Sequence, residues 1–158
     1  MAGGKDRIRV GVADMAVTDR DRTLVTSGLG SCVAVAVHDG GGIGGLLHAM
    51  LPEAPDDTAP PAKYVDAGIG KLSAELTALG ADRNDLTAKL TGGSSMLDLG
   101  SEEPVGEKNV TAARASLSER EIDLVSEDTG GNAGRSVSFH PATGALSIER
   151  VDDEKTVL

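Results

Sequence analysis

A run of alternating side chains followed by a glycine turn constrains this chain more than any other feature of it. Val33, Val35 and Val37 alternate with Ala34 and Ala36, the two-residue period of a strand with unlike faces. Asp39-Gly40-Gly41-Gly42 is a turn cluster, and Ile43 to Met50 returns antiparallel before Pro52 stops it. A three-residue loop, Asp39 to Gly41, is expected to close the hairpin and to set Cys32, the only cysteine, directly opposite His48. An even loop without a bulge would turn His48 to the other face. Directly opposed side chains have Cβ atoms about 4.5 to 5.5 Å apart, close enough for a thiol and an imidazole to interact. The small face, Ala34, Ala36 and Gly44, is expected to leave room for another chain; the large face, Val33, Val35, Val37, Ile43 and Leu47, is expected to be core.

A lone cysteine is more often an inert apolar residue than a nucleophile. Two neighbours argue for chemistry here. Gly30 and Ser31 form a tight turn just before Cys32, where backbone N–H groups can point at a reacting atom, so both are candidates for substrate or oxyanion support. His48 supplies the adjacent base that a thiol needs at neutral pH. The other histidines offer no rival: His38 lies about 20 Å along the strand at roughly 3.3 Å per residue, and His140 precedes a turn proline. No close-spaced ligand pair seeds a zinc site, and neither a metal nor another cofactor is expected. Gly40, Gly42 and Gly45 satisfy G-x-G-x-x-G, but a dinucleotide fingerprint must open a helix, and Pro52 follows too soon with no helix caps.

Along the rest of the chain, residues 1–7 read as a frayed tail, Ile8, Val10 and Val12 alternate as a first strand, Asp19 to Arg22 is a charged turn, and Leu24 to Thr26 is a short strand. Pro52 to Ala62 is a proline-rich loop. Val65, Ile69, Leu72, Leu76 and Leu79 give an amphipathic helix stopped by Gly80. Leu86, Ala88 and Leu90 alternate as a strand running into Gly92-Gly93-Ser94-Ser95-Met96, and Ser101 to Pro104 is an acidic loop. Glu107 to Arg120 is a second helix burying Val110, Ala113 and Leu117, and Ile122 to Val125 returns as a strand. Glu127 to Gly134 is turn-rich; Arg135 to Phe139 and Ala145 to Arg150 form a closing hairpin; 152–158 reads as a second tail. The fold class expected is α/β: a layered α/β sandwich with mixed, largely antiparallel β-sheet structure and two principal helices, one domain over 1–158.

Four motifs stand in this order over nearly the whole chain: Leu29-Gly30-Ser31-Cys32-Val33-Ala34-Val35; Gly44-Gly45 with His48-Ala49-Met50-Leu51-Pro52; Gly92-Gly93-Ser94-Ser95-Met96; and Glu127-Asp128-Thr129-Gly130-Gly131-Asn132 with Arg135-Ser136-Val137. In them the chain resembles the CheD-type chemoreceptor glutamine deamidases. The resemblance implies a cysteine-dependent amide hydrolase whose catalytic Cys, His and Thr fall on Cys32, His48 and Thr26. Thr26 is carried over because it stands six residues before the cysteine; the residues alone do not choose it over Thr23 or Ser27. The resemblance further suggests that Gly92, Gly93, Ser94 and Met96 border the active site or a partner surface, with Leu97 where the family has an aromatic. It implies chemoreceptor cytoplasmic helices as substrate, conversion of their glutamines to glutamate with loss of ammonia, and a CheC-type phosphatase as regulatory partner. Glutamyl methyl-ester hydrolysis needs only another leaving group. The alternatives are a module that regulates the phosphatase through the same groove, and a thiol redox sensor.

The net charge of −10 argues against nucleic acid or an anionic membrane surface as partner. One cysteine rules out an internal disulfide, no apolar run reaches the roughly 18 residues of a membrane span, and a cytoplasmic location is expected. The acidic excess, scarce lysine and near absence of aromatics suggest a halophilic source, because such a surface repels itself at low salt. The melting temperature is therefore expected to rise between low and molar salt, where the Debye length shrinks to about 3 Å; a flat or falling midpoint in a salt series would contradict this.

Overall fold

A computed structural model describes residues 7–95, 104–151 and 155–158. The order of elements is β1 (Arg7–Arg9), β2 (Asp14–Thr18), β3 (Thr23–Leu29), β4 (Val33–His38), β5 (Gly44–Ala49), α1 (Val65–Ala78), β6 (Thr87–Gly92), α2 (Val105–Glu119), β7 (Asp123–Thr129), β8 (Arg135–His140), β9 (Ala145–Arg150) and β10 (Lys155–Val157). The strands form two five-stranded sheets, ordered β1-β3-β8-β9-β10 and β2-β5-β4-β6-β7. Each sheet is mixed: β1 runs parallel to β3 and β6 parallel to β7, and every other pairing is antiparallel. Parallel strands need a crossover, which α2 supplies between β6 and β7.

Hydrophobic alternation along β4 and β5 fixes the layers. One face, with Val33, Val35, Val37 and Leu47, packs under Val65, Ile69, Leu72 and Leu76 of α1 and Val110, Ala113 and Leu117 of α2. The other face, with Ala34, Ala36 and Leu46, packs on Leu24, Leu29, Val137, Phe139, Leu146 and Ile148 of the first sheet. The molecule is thus a sheet on a sheet on a helical layer, the layered and largely antiparallel α/β sandwich expected. The small face of the hairpin is not open to a partner, contrary to expectation. Ala34 and Ala36 are fully buried because their small side chains let the bulky Phe139 and Leu146 of the facing sheet come close.

The hairpin register also differs from the expected one. Ala34, not Cys32, lies opposite His48, and Val33 lies opposite Ala49. The loop is Asp39 to Ile43, longer than the three residues expected. Asp39 explains it: its Oδ1 accepts the backbone N–H of Gly41 at 2.8 Å and of Ile43 at 3.0 Å, holding the wider turn together. The residue count stays odd, so His48 keeps the face it shares with Ala34 and Ala36.

Three outer elements depart from the sequence reading. The first strand ends at Arg9, the chain turns through Ala13 at φ +59°, and Asp14 to Thr18 becomes an edge strand on β5 that the sequence did not signal. The expected tails are partly strands: Arg7 pairs with Thr23, and Lys155 to Val157 pair with β9 while Leu158 and Leu146 exchange two backbone hydrogen bonds. β7 runs on to Thr129, past the expected Val125. Truncating Phe139, fully buried between the sheets, to Ala is expected to cost about 3–5 kcal/mol, against less than about 0.5 kcal/mol for Val125→Ala on the exposed edge. Urea denaturation checks this, and similar midpoints for the two variants would contradict the layer assignment.

Candidate active site

The chain changes sheet once near the hairpin. β3 ends in the first sheet, Gly30-Ser31-Cys32 makes the corner, and β4 begins in the second. A bulge between Thr26 and Leu29, with Gly28 at φ +73°, lets Leu24, Thr26 and Leu29 all turn into the space between the sheets. Thr26 therefore faces His48 of the other sheet. Its Oγ1 lies 2.7 Å from His48 Nδ1 and 2.7 Å from the Val10 carbonyl oxygen. The hydroxyl has one hydrogen and a carbonyl can only accept, so the hydrogen goes to Val10 and Nδ1–H donates to Oγ1. This assigns the Nδ1–H tautomer to a fully buried imidazole. Its lone pair is left on Nε2, which has no hydrogen-bond partner among the described residues.

Cys32 is half-buried and packs on the same inter-sheet cluster that His48 faces, while Ser31 is exposed. With Ala34 opposite His48, Cys32 is a diagonal rather than a direct neighbour, a separation of about 7–8 Å along the backbone that side chains can bridge. The carbonyls of the corner all point back into the protein. The Gly30 oxygen accepts from Ser94 N at 2.9 Å and Ser94 Oγ at 2.8 Å; the Ser31 oxygen accepts from Asn109 Nδ2 at 2.9 Å; the Cys32 oxygen accepts from Gly93 N at 2.9 Å. Neither the Ser31 N–H nor the Cys32 N–H donates to another of the described residues; the Cys32 N–H contacts only its own thiol. A loop with its carbonyls tied inward and two N–H groups that no other described residue claims, beside a half-exposed thiol, has the form of an anion-binding concavity.

Comparison with known proteins bears on this constellation. The family model described as "CheD chemotactic sensory transduction" matches residues 50–150. A probable chemoreceptor glutamine deamidase CheD from Natronomonas pharaonis is 41% identical over 157 residues, covering 97% of this chain and 93% of its own. The chain belongs to the CheD family. A Pyrococcus horikoshii member, also named a probable chemoreceptor glutamine deamidase, is 43% identical, covering 95% of this chain and 96% of its own. One from Halalkalibacterium halodurans, named a chemoreceptor glutamine deamidase, is 38% identical, with 92% and 94% covered. Among solved structures, a Bacillus licheniformis hypothetical protein, YfiH, shares the fold at a TM-score of 0.51 and 14% identity, over 75% of this chain. This chain spans about half, 51%, of that one.

Within this CheD-family chain, Gly92, Gly93 and Ser94 are buried behind the cysteine corner rather than forming a surface. Gly92 sits at φ +105°, and a Cβ there would stand 2.4 Å from the Cys32 carbonyl oxygen, so only glycine lets β6 come this close. Met96, the fourth residue of that group, lies outside the described residues, as do Leu97 and residues 101–103. Behind them, Gly130 N donates to Gly92 O at 3.0 Å and Ser95 N to Gly131 O at 2.9 Å. Buried Arg135 donates from Nη2 to Gly130 O at 2.9 Å and, together with Arg150, pairs with Asp128. Asp128 thus bonds to arginines of β8 and β9. A groove of about 510 Å³ lies over the outer face of the first sheet, lined by Arg7, Arg9, Ser138 and Lys155; it reaches Thr26 from behind and touches neither Cys32 nor His48.

Burial pushes the Cys32 thiol above the ordinary value, against a smaller lowering from its own backbone N–H, and pushes the His48 imidazole down. Free protein at neutral pH therefore holds a thiol and a neutral imidazole, not a preformed ion pair. The sign follows for stability: His48 is buried uncharged, so its contribution is fully present above pH 6.5 and is lost as the pH falls through its lowered folded value. Iodoacetamide alkylation of Cys32 is expected to rise through a midpoint above 9.0, and the His48 ring protons to titrate below 6.5. Alkylation with a near-neutral midpoint would contradict the neutral pair.

Proposed function

We propose that this protein is a cysteine-dependent glutamine deamidase that converts chemoreceptor glutamine side chains to glutamate. The observation that carries the reading is the Thr26–His48 hydrogen bond, which leaves Nε2 with an unclaimed lone pair on the face against which Cys32 packs. Nε2 takes the thiol proton as sulfur attacks the carboxamide carbon, so that no stable thiolate is needed beforehand. The oxyanion that forms is held by the N–H groups of Ser31 and Cys32, which no other described residue claims. His48 then gives its proton to the departing nitrogen, releasing ammonia and leaving a thioester on Cys32. Water, losing one proton to the same Nε2, attacks the thioester; the carbon–sulfur bond breaks, sulfur takes that proton back, and the carboxylic acid that leaves gives its remaining proton to solvent to become glutamate. Thr26 keeps Nδ1–H engaged throughout, which orients the ring and stabilises the imidazolium between the two proton transfers.

The substrate reaches Cys32 over the exposed Ser31, at the corner of the sandwich, since the Ala34 face is closed. A protruding receptor helix fits such an open edge, in keeping with the substrate that the sequence resemblance implies. The relatives' names support the receptor as substrate. The reading places the protein in the cytoplasm with the receptor's cytoplasmic helices, and the CheC-type phosphatase belongs to it as the regulatory partner that the sequence resemblance implies.

Intact-mass analysis of a purified receptor cytoplasmic fragment, incubated in molar salt with wild-type protein, is expected to show a gain of about one mass unit per modified glutamine. Cys32→Ser is expected to fold and give no gain, because a serine hydroxyl lacks the acidity and nucleophilicity of the thiol. Turnover by Cys32→Ser at the wild-type rate would refute the thiol mechanism. Absence of any gain with folded wild-type protein would refute the deamidase reading.

A further inference from the structure

Asn109 sits on α2, in the helical layer, and is fully buried. Both hydrogens of its Nδ2 are used, one to the Ser31 carbonyl at 2.9 Å and one to the Met50 carbonyl at 2.9 Å. Ser31 immediately precedes Cys32, and Met50 follows His48 by two residues. One amide group thus ties the cysteine corner to the end of the histidine strand, from a third element that belongs to neither. Its Oδ1 is buried without a partner among the described residues. Turning the amide over would set that oxygen against two carbonyl oxygens, so the orientation is fixed by the acceptors it faces. A buried acceptor left unpaired is a cost that folds carry mainly where the rest of the group has a task.

We infer that Asn109 is a positioning residue that sets Cys32 against His48. The inference rests on the deamidase reading and deepens it. The backbone tethers from Gly93 and Ser94 hold the corner alone. Asn109 is the side chain, among the described residues, that also holds the strand carrying His48. Because Cys32 and His48 are diagonal rather than direct partners, a slip of either segment changes the distance over which the thiol proton passes. The bond to Ser31 also fixes the Ser31–Cys32 peptide plane, whose N–H is that of Cys32 and points opposite to the tied carbonyl.

The test is steady-state kinetics of Asn109→Ala and Asn109→Ser in molar salt, on a chemoreceptor cytoplasmic fragment with its glutamines intact, beside wild type. Thermal unfolding of each variant fixes the folded fraction at the assay temperature. Misplacement of this kind is expected to lower kcat about 10- to 100-fold for Asn109→Ala with KM within about twofold, since the substrate still binds but the pair is misaligned. Asn109→Ser, which keeps one donor, is expected to fall between, and it decides by the same split if Asn109→Ala does not fold. Variants with wild-type kcat per folded molecule, or with KM raised and kcat unchanged, would overturn the inference while leaving the deamidase reading intact. Wild-type protein with no turnover would overturn that reading and the inference with it.

Discussion

The site depends on one hydroxyl that faces two acceptors and can donate to only one. Because the Val10 carbonyl takes the Thr26 hydrogen, His48 must present Nδ1–H to Oγ1, and its remaining lone pair has nowhere to lie but on Nε2. A buried neutral imidazole with a fixed tautomer is a base that is ready without being charged, and the same burial that lowers its pKa keeps Cys32 a thiol. The rest of the fold serves this contact. Thr26 and His48 come from different sheets, so they meet only if the two sheets pack face to face, and Ala34 and Ala36 beside them are small enough to permit it.

The cysteine corner is built by the complementary device. Three successive carbonyls are drawn inward by Ser94, Asn109 and Gly93, and the N–H groups between them are claimed by no other described residue. Each tether needs a close approach: Gly92 because a Cβ would strike the Cys32 carbonyl, and Gly106 because a Cβ would stand 2.6 Å from the Gly93 and Ser94 carbonyl oxygens. These glycines are the places where three backbone segments touch. Arg135, Arg150 and Asp128 brace the next segment outward, with the guanidinium of Arg135 under the Gly130 turn.

Local periodicity was enough for much of this. The alternation at Val33 to Val37 gave the strand and its two faces, and the stripe Val65, Ile69, Leu72, Leu76 gave α1 and its buried side, because each pattern is enforced by burial of neighbouring residues. The shared face of Cys32 and His48 followed from loop parity alone and survived a wrong loop length, since parity and not length decides the face. What failed needed non-local information. The occupant of the small face is the other sheet, which alternation in one hairpin cannot reveal; β2 and β10 are edge strands held by partners far along the chain, with little pattern of their own. Thr26 came only with the family resemblance, because its partner lies across the sandwich. Asn109 left one signal, a polar residue on the buried stripe with Val110, Ala113 and Leu117, and Arg135 a cation on the inward face of β8.

The most direct measurement of the central claim is the protonation of the His48 ring in the free protein, by long-range proton–nitrogen correlation in 15N-histidine-labelled wild type and Thr26→Val near pH 7.5. The account predicts a protonated Nδ1 and an unprotonated Nε2 in wild type, with that preference lost in Thr26→Val. A wild-type ring protonated at Nε2, or carrying both protons, would deny the imidazole its free lone pair and contradict the account.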